Sequence, residues 1–503
     1  MKLVGMAKHR QPRPATLTQL KPSRRMMLGG VAAVGVAAVA GRTALESRHE
    51  AEAAANPTAR TYVSTDVTVP PLSVEKLGET APGYLFLAPR GEGGKAGVVL
   101  DDTGEPVWVG ATDQASITDV RLQHVDGQTV LTYWDGPSSD GHGRGDISVL
   151  DPQLRLRRTI TGTGEDTIDL HETRISDRGT LLSISYTPAR ADLSSVGGPR
   201  DGWIYDTRII ERDIATNEAL FSWSPLEHLG FDESYSTISE DRGTQDKPFD
   251  IFHANSVEER GETLLISMRH THSLILIDRS SGEVLWRMGG KKSDFDVPED
   301  LRFSWQHDAR WVDGQTLSLF DNHAFRGSDP PLSRGMVLAV NEDAKTVSSR
   351  GIYRVDGITS NAQGSTQVLP GGNVVVGWGS VGRVHEFDED GNPVLSVLLP
   401  DTTTYRAYRQ EWTSRPATKP ALAVRTESDS TRVYASWNGA TEVAEWRVHS
   451  GPTATELSAG GRFPRTGFES SEAVDADTWY AVEALDADGR RLGMSDPKQA
   501  PAG

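Results

Sequence analysis

From Asn56 onward the apolar positions do not recur at the 3.6-residue period of a helix. Short alternating or continuous apolar runs, bounded by Gly, Asp and Asn, follow one another instead and predict an all-β chain. Six stretches share one layout: an apolar strand ends in an acidic or amide residue, a turn follows, and a second strand leaves it. They are VVLDDTGEPVWVG (98–110), SVLDPQLRLRRTITG (148–162), IIERDIATNEALFSW (209–223), ILIDRSSGEVLWRMGG (275–290), VLAVNEDAKTVSSRGIYRV (337–355) and VHEFDEDGNPVLSVLL (384–399). Anchored on Asp102, Asp151, Asp213, Asp278, Asn341 and Asp388, the copies lie 49, 62, 65, 63 and 47 residues apart. This is somewhat above the ~40 to 50 residues of a propeller blade, and loops account for the excess. Between anchors a second hairpin recurs, with a polar turn and an apolar outgoing strand: DGQTVLTYW, DRGTLLSISY, RGETLLISMR, DGQTLSLFDN and PGGNVVVGW. Two hairpins per period make four strands. Four-stranded sheets repeated six times about an axis form a six-bladed β-propeller, which protects its edges by radial packing and leaves an axial channel. A pair of β-sandwiches is the competing arrangement.

The ends of the chain depart from this pattern. Past Trp412, the run Arg415-Pro416-Ala417-Thr418-Lys419-Pro420 reads as a stiff linker over 413–420. Strand candidates ALAVRT, RVYASW, AEWRVHS, TGFESS and TWYAVEALD then predict a small fibronectin type III or immunoglobulin-like β-sandwich over 421–503, with Trp437, Trp446 and Tyr480 in its core. At the other end, 1–55 reads as a signal and linker: a basic head, Ser23-Arg24-Arg25-Met26-Met27-Leu28, then a Gly/Ala/Val run through Ala40. That is the layout of a twin-arginine export signal, too short to persist as a comfortable membrane span. The expected destination is secreted or cell-surface, or periplasmic where an outer membrane exists. Twin-arginine cargo crosses folded, which suits a chain without cysteine outside the cytoplasm. The C-terminal domain is a candidate for contact with the cell surface.

Charge narrows the partners. The chain carries 52 Lys+Arg against 70 Asp+Glu, a net charge of −18. Removing the seven basic residues of positions 1–40 would leave −25, so nucleic acid and anionic lipid are disfavoured.

Candidate chemistry collects on the strand entering the second hairpin, because the first strand of each blade lines the channel. Counting back seven or eight residues from the turn glycine gives His171 before Gly179, His253 before Gly261 and His307 before Gly314. The corresponding places in neighbouring repeats hold Asp119 before Gly127 and Gln363 before Gly371. On the outgoing strand, the sixth residue after the turn threonine is Asp135, Tyr186, Arg269 or Asn322. Of these, Arg269 is a permanent cation whose fork suits a tetrahedral oxyanion. His270, His272 and His323 are assigned mostly structural roles. HExxH spacing is missing and carboxylates at this level are few, so neither a metal nor a cofactor is expected.

The segments DLHE (169–172), FHANSV (252–257), SMRH (267–270), GEVLWRMGG (282–290), WQHDAR (305–310) and LFDNH (319–323) together resemble the bacterial arylsulfotransferase family, in its actinobacterial-type branch. The likeness runs from about Tyr62 through APGYLFLAP and GHGRGDISVLD to NAQGSTQVLPGGNVVVGWG and YRAYRQEW (405–412). The resemblance implies a propeller that moves a sulfuryl group from a phenolic sulfate ester to another phenol, without a nucleotide donor, through a sulfohistidine. It implies His307 as nucleophile, with His253, Arg269 and His171 matching further catalytic positions. Asn255, Asn322, Asp119, Tyr186 and Gln363 are the expected substrate contacts. Elementary chemistry agrees: a neutral imidazole has a lone pair above its ordinary pKa of ~6.5, and cationic donors stabilise a transferring group with charge on its equatorial oxygens. Competing readings are a non-catalytic exported propeller that binds a glycan or anionic small molecule, and a quinone-cofactor dehydrogenase.

Overall fold

The computed structural model describes residues 57–91, 94–111, 116–323, 332–427 and 430–501. The export signal read from 1–55 lies outside the described residues. The described chain is all-β and propeller-like, with only short 3-10 turns beside its strands. Among these residues no helix is long and apolar enough to cross a membrane.

Four successive sheets are antiparallel and built from four strands in sequence order. The first contains Ser116–Val125, Gln128–Gly136, Asp146–Leu150 and Leu156–Thr161. The second runs from Thr173–Ile175 to Ala219–Trp223, the third from Ala254–Arg260 to Val284–Gly289, and the fourth from His307–Trp311 to Thr346–Tyr353. Next comes Ser365–Val368 through Pro393–Leu398, whose outer edge is covered by Ser73–Lys76 from the beginning of the described chain. A further sheet joins the two ends of this region: Tyr84–Leu87, Gly94–Leu100 and Pro106–Ala111 are joined by Tyr408–Gln410. Residues more than three hundred positions apart are therefore hydrogen-bonded strand to strand.

Burial explains the order within each sheet. In Ser116–Val125 eight consecutive residues are buried, whereas Leu156–Thr161 at the other edge is largely exposed. The first strand is thus enclosed on both faces and the last meets water on one. Apolar cores fill the seams between successive sheets. Leu182, Ile184 and Trp223 meet Val257, Leu264 and Ile266 in one, while Leu265, Leu276 and Trp286 meet Leu317, Leu319 and Met336 in the next. Leu85 and Val98 meet Val375, Val384 and Val397 in the seam that joins the ends of this region.

The repeated acidic residue of the outer hairpin has a local purpose. Asp278 Oδ1 accepts from the N–H groups of Ser280 and Ser281 (3.0 and 2.8 Å), and Asp388 Oδ1 from those of Asp390 and Asn392 (3.1 and 2.7 Å). The side chain satisfies turn donors that neither strand can reach. In the first copy this work falls to Asp101, one residue before the anchor read from sequence, while Asp102 pairs with Lys76 and Arg409.

Beyond Trp412, Ser414 and Ala417 bond to the carbonyls of Pro152 and Gln153 (3.2 and 2.8 Å), so this stretch is fastened to the first four-stranded sheet. The strands that follow form a three-stranded and a five-stranded sheet, and Val433, Trp437, Trp446 and Tyr480 share one core between them.

Candidate active site

The inner strands begin irregularly. Asp119, His253, Asp308 and Gln363 have φ of 53°, 54°, 54° and 65°, and the pairing register shifts between Thr118 and Arg121, Ala254 and Ser256, and His307 and Arg310. Non-glycine residues in the left-handed region cost on the order of 1–3 kcal/mol each. The accompanying bulges re-aim side chains that regular pleating would send elsewhere.

The result is a cavity of about 460 Å³ lined by His171, His253, Arg269, His270, His307 and Gln363, with Arg90, Asp250 and Tyr405 among its other walls. Its size suits a small molecule. All four groups assigned catalytic parts from sequence converge here, together with Gln363. His270, read as mostly structural, also faces the cavity: its Nε2 accepts from Arg269 Nη1 (2.8 Å), while its Nδ1–H donates to the carbonyl of Asp250 (2.8 Å).

Arg269 is half-buried and its hydrogen-bond partners are neutral: His270 Nε2 and the carbonyl of Asn361 (2.9 Å). Trp305 lies beneath the guanidinium, 4.6 Å from carbon to ring centroid. Burial pulls the Arg269 pKa down to about 10, which leaves it charged at neutral pH. A cation in this setting invites an anion.

Each imidazole has its own partner. His171 Nδ1 bonds to Asp169 Oδ1, and His253 Nδ1 bonds to Asp250 Oδ2 (2.6 Å). The same Asp250 oxygen accepts from His142 Nε2 (3.0 Å). His307 Nδ1 instead meets the amide oxygen of Asn322 (2.7 Å), and its Nε2 accepts the backbone N–H of Gln363 (3.1 Å). Burial lowers His307 well below the usual imidazole range, reinforced by Arg269; burial does the same to His253. Burial would raise Asp250, but His253, His270 and His142 outweigh it and hold the carboxyl well below its ordinary value.

Four expected substrate contacts lie elsewhere. Asp119 is enclosed among Arg121, Arg406 and Thr173, away from the cavity lining. Asn255 is fully buried with its amide nitrogen on the carbonyl of Gln306 (2.7 Å). Asn322 is fully buried behind His307, which leaves it no surface for a substrate. Tyr186 donates its hydroxyl to the carbonyl of Ala254 (2.6 Å), and its ring backs His171 and His253, with centroids 5.6 Å from each.

Several participants escaped the sequence reading. Asp169 and Glu172 flank His171 inside a segment already singled out, and Asp250 sits three residues before His253; a search for carboxylates beside each histidine would have found them. Tyr405 and Arg406 reach His171 from more than two hundred residues away; they open the YRAYRQEW segment already singled out, but nothing in it points to His171. Arg406 Nη1 contacts Asp119 and Glu172 (3.1 and 3.2 Å), its Nε lies 3.1 Å from Asp308, and Nη2 donates to the carbonyls of His171 and Asn255 (both 2.8 Å). A larger cavity, about 680 Å³, is lined by Arg121, Arg174, Glu258, Asp308 and Arg310. Its charges neutralise one another, as in Arg174–Glu258 at 2.9 Å and Arg310–Glu258 at 3.2 Å, so the smaller cavity is the better candidate for chemistry.

Among residues that could hold a metal, His142, Asp250 and His253 offer ligand atoms within 4.8 Å of one another. In the structure those atoms are hydrogen-bonded to each other instead.

The family model described as "Arylsulfotransferase (ASST)" matches residues 121–398, more than half of the chain. No curated protein matches the sequence. Among solved structures, a protein of unknown function from Bacteroides caccae aligns over 65% of this chain and 98% of its own at 12% identity, with a TM-score of 0.38. A catalytically inactive virginiamycin B lyase from Staphylococcus aureus, solved with quinupristin, covers 72% of this chain and 95% of its own at 7% identity and a TM-score of 0.32. A β-propeller domain from Myceliophteria thermophila covers 65% and 87% at 11% identity and a TM-score of 0.26.

Proposed function

Because the chain belongs to the arylsulfotransferase family, we propose that it moves a sulfuryl group from a phenolic sulfate ester to a second phenol by a ping-pong route through a sulfated His307. The observation that carries this reading is Arg269, a cavity cation bonded only to neutral groups, beside an imidazole whose Nε2 holds a lone pair. An aryl sulfate supplies both the missing anion and the electrophile.

In the first half-reaction His307 Nε2 attacks sulfur, and the S–O bond to the aryl group breaks with its electrons on the departing oxygen. His171 donates the proton that oxygen needs, since a phenol has a pKa of ~10, while burial keeps His253 neutral. The second half-reaction reverses these roles with the incoming phenol. Asp169 suits His171 to proton work, because a carboxylate on Nδ1 stabilises the imidazolium that forms, and Asp250 orients the neutral His253 so that its Nε2 can accept a proton. Arg269 is positioned to donate to the sulfuryl oxygens, and the N–H of Gln363 becomes free to join it once His307 Nε2 releases that hydrogen bond to attack.

The same reading takes 56–412 as a six-bladed propeller and 421–503 as a small β-sandwich beyond the 413–420 segment. It has the protein exported by the twin-arginine route to act outside the cytoplasm, with the C-terminal part as a contact to the cell surface. The deciding experiment incubates the purified protein with an aryl sulfate, with and without a phenol. Sulfated phenol should appear, and without acceptor mass spectrometry should find sulfate on the His307 peptide. Failure to transfer from any of several aryl sulfates would return the protein to a binding role.

The pH dependence follows from the burial of His307. Protonation removes the attacking lone pair, and the folded pKa lies well below 6.5. Activity should therefore persist as pH falls through that value, and the acid limb of kcat/KM should lie below it. An acid limb at or above the ordinary histidine value would contradict His307 as the nucleophile.

A further inference from the structure

The amide orientation of Asn322 is fixed by its surroundings. Its Nδ2 donates to the carbonyls of Ser360 and Gln363, both at 3.0 Å, and carbonyls only accept. The amide therefore cannot be turned over, so the atom facing His307 Nδ1 is Oδ1, an acceptor. Nδ1 must then carry the hydrogen and Nε2 the lone pair, which agrees with the Gln363 N–H directed at Nε2. Two of the three cavity histidines at the inner strands thus rest on carboxylates, and the third rests on a neutral amide that can neither take its proton nor balance a positive ring.

We infer that Asn322 is a positioning residue that fixes the tautomer of His307 and, by being uncharged, keeps the sulfated ring reactive enough to pass its sulfuryl group on. The inference rests on the reading of His307 as nucleophile. After the first half-reaction the ring bears the sulfuryl group at Nε2 and hydrogen at Nδ1, and is cationic. In the second, the phenol oxygen attacks sulfur, its proton passes to a flanking histidine, and the S–N bond breaks with its electrons returning to the ring, which leaves as neutral imidazole. A carboxylate at Nδ1 would stabilise the cationic intermediate or draw off the Nδ1 proton, and either change makes the ring a poorer leaving group. The amide does neither. It gives up some nucleophilic activation in the first half-reaction in exchange for a labile intermediate in the second.

The test separates the half-reactions in Asn322→Asp, following donor phenol release by stopped flow and then transfer from pre-sulfated enzyme to an acceptor phenol. Release should continue while transfer slows by about tenfold or more, so that sulfated His307 accumulates during turnover. The introduced carboxylate faces the Ser360 and Gln363 carbonyls, so Asn322→Ala is the second variant if the first does not fold. Without the acceptor the tautomer is no longer fixed, and the first half-reaction should slow by about tenfold while transfer from enzyme already sulfated does not. Equal slowing of both half-reactions in the folded variant would overturn the inference and leave Asn322 a packing residue. If native enzyme transfers sulfate with His307 never sulfated, the nucleophile reading itself has failed and this inference with it. Sulfation of native His307 combined with equal slowing in the variants condemns the inference alone.

Discussion

Alanine at position 307 is expected to lower sulfuryl transfer by roughly 10⁴-fold or more, because the variant lacks the atom on which the covalent route depends. The fold should tolerate the change. The His307 ring is bonded to Asn322 and to the Gln363 N–H, and its loss enlarges a cavity that already exists. An unaltered unfolding midpoint together with absent sulfation would locate the defect in chemistry. His171→Ala and His253→Ala should be milder, on the order of 10²- to 10⁴-fold, since a general acid or base can be partly replaced by water. Their losses should also depend on the phenol: a donor with an acidic leaving group needs little proton donation and should rescue the first half-reaction. Should His307→Ala retain transfer while one of the other two loses it entirely, the nucleophile has been misassigned among the three rings.

Much of this arrangement could be read from the sequence, for a physical reason. A propeller-like repeat brings equivalent positions of successive inner strands to one level, so counting from turn glycines found His171, His253 and His307 without coordinates. The same counting failed at Asp119 by one residue. In the pairing, Thr118 lies opposite Trp134 and Arg121 opposite Thr132, just as His307 lies opposite Phe320 and Arg310 opposite Ser318. Thr118 is therefore the counterpart of His307, and Asp119 that of Asp308. A slip of one residue in a strand exchanges faces, which sends Asp119 into the charged layer beside the cavity. Asn255 and Asn322 were misread for another reason. Polar residues close to a cavity can serve the scaffold behind it, and only hydrogen-bond partners separate the two uses. The partners of Asn322 are carbonyls from 360 and 363, and nothing in its own strand announces them.

Arg406 is the residue whose removal should most damage stability, and the reason lies in that charged layer. Three guanidinium groups, Arg121, Arg310 and Arg406, face three carboxylates, Asp119, Glu172 and Asp308, with the Arg406 side chain only 1% exposed. Arg406→Ala leaves the carboxylates short of one cation and leaves the His171 and Asn255 carbonyls only the shared Tyr405 hydroxyl as donor. Taking one partner from a buried ion network costs about 3–5 kcal/mol, much of it from the charge left behind. Lysine should restore little, because a point charge cannot fork to carboxylates on one side and carbonyls on the other. The pH dependence separates this account from simple loss of packing. In the native protein, burial raises Glu172 but Arg310, Arg406 and Arg121 more than offset it, so the folded pKa is depressed and its stabilisation is lost on acidification. In the variant Arg310 and Arg121 remain, so the carboxyl is less depressed than in the native protein, and the difference is full above the ordinary carboxylate range and shrinks as pH falls below it. Denaturant midpoints of the two proteins should accordingly converge as pH falls from about 5 towards about 2. A deficit that stays constant over this range would mean that Arg406 stabilises through its contacts alone, and the charged layer would lose its role in holding His171 and Asn255 in place.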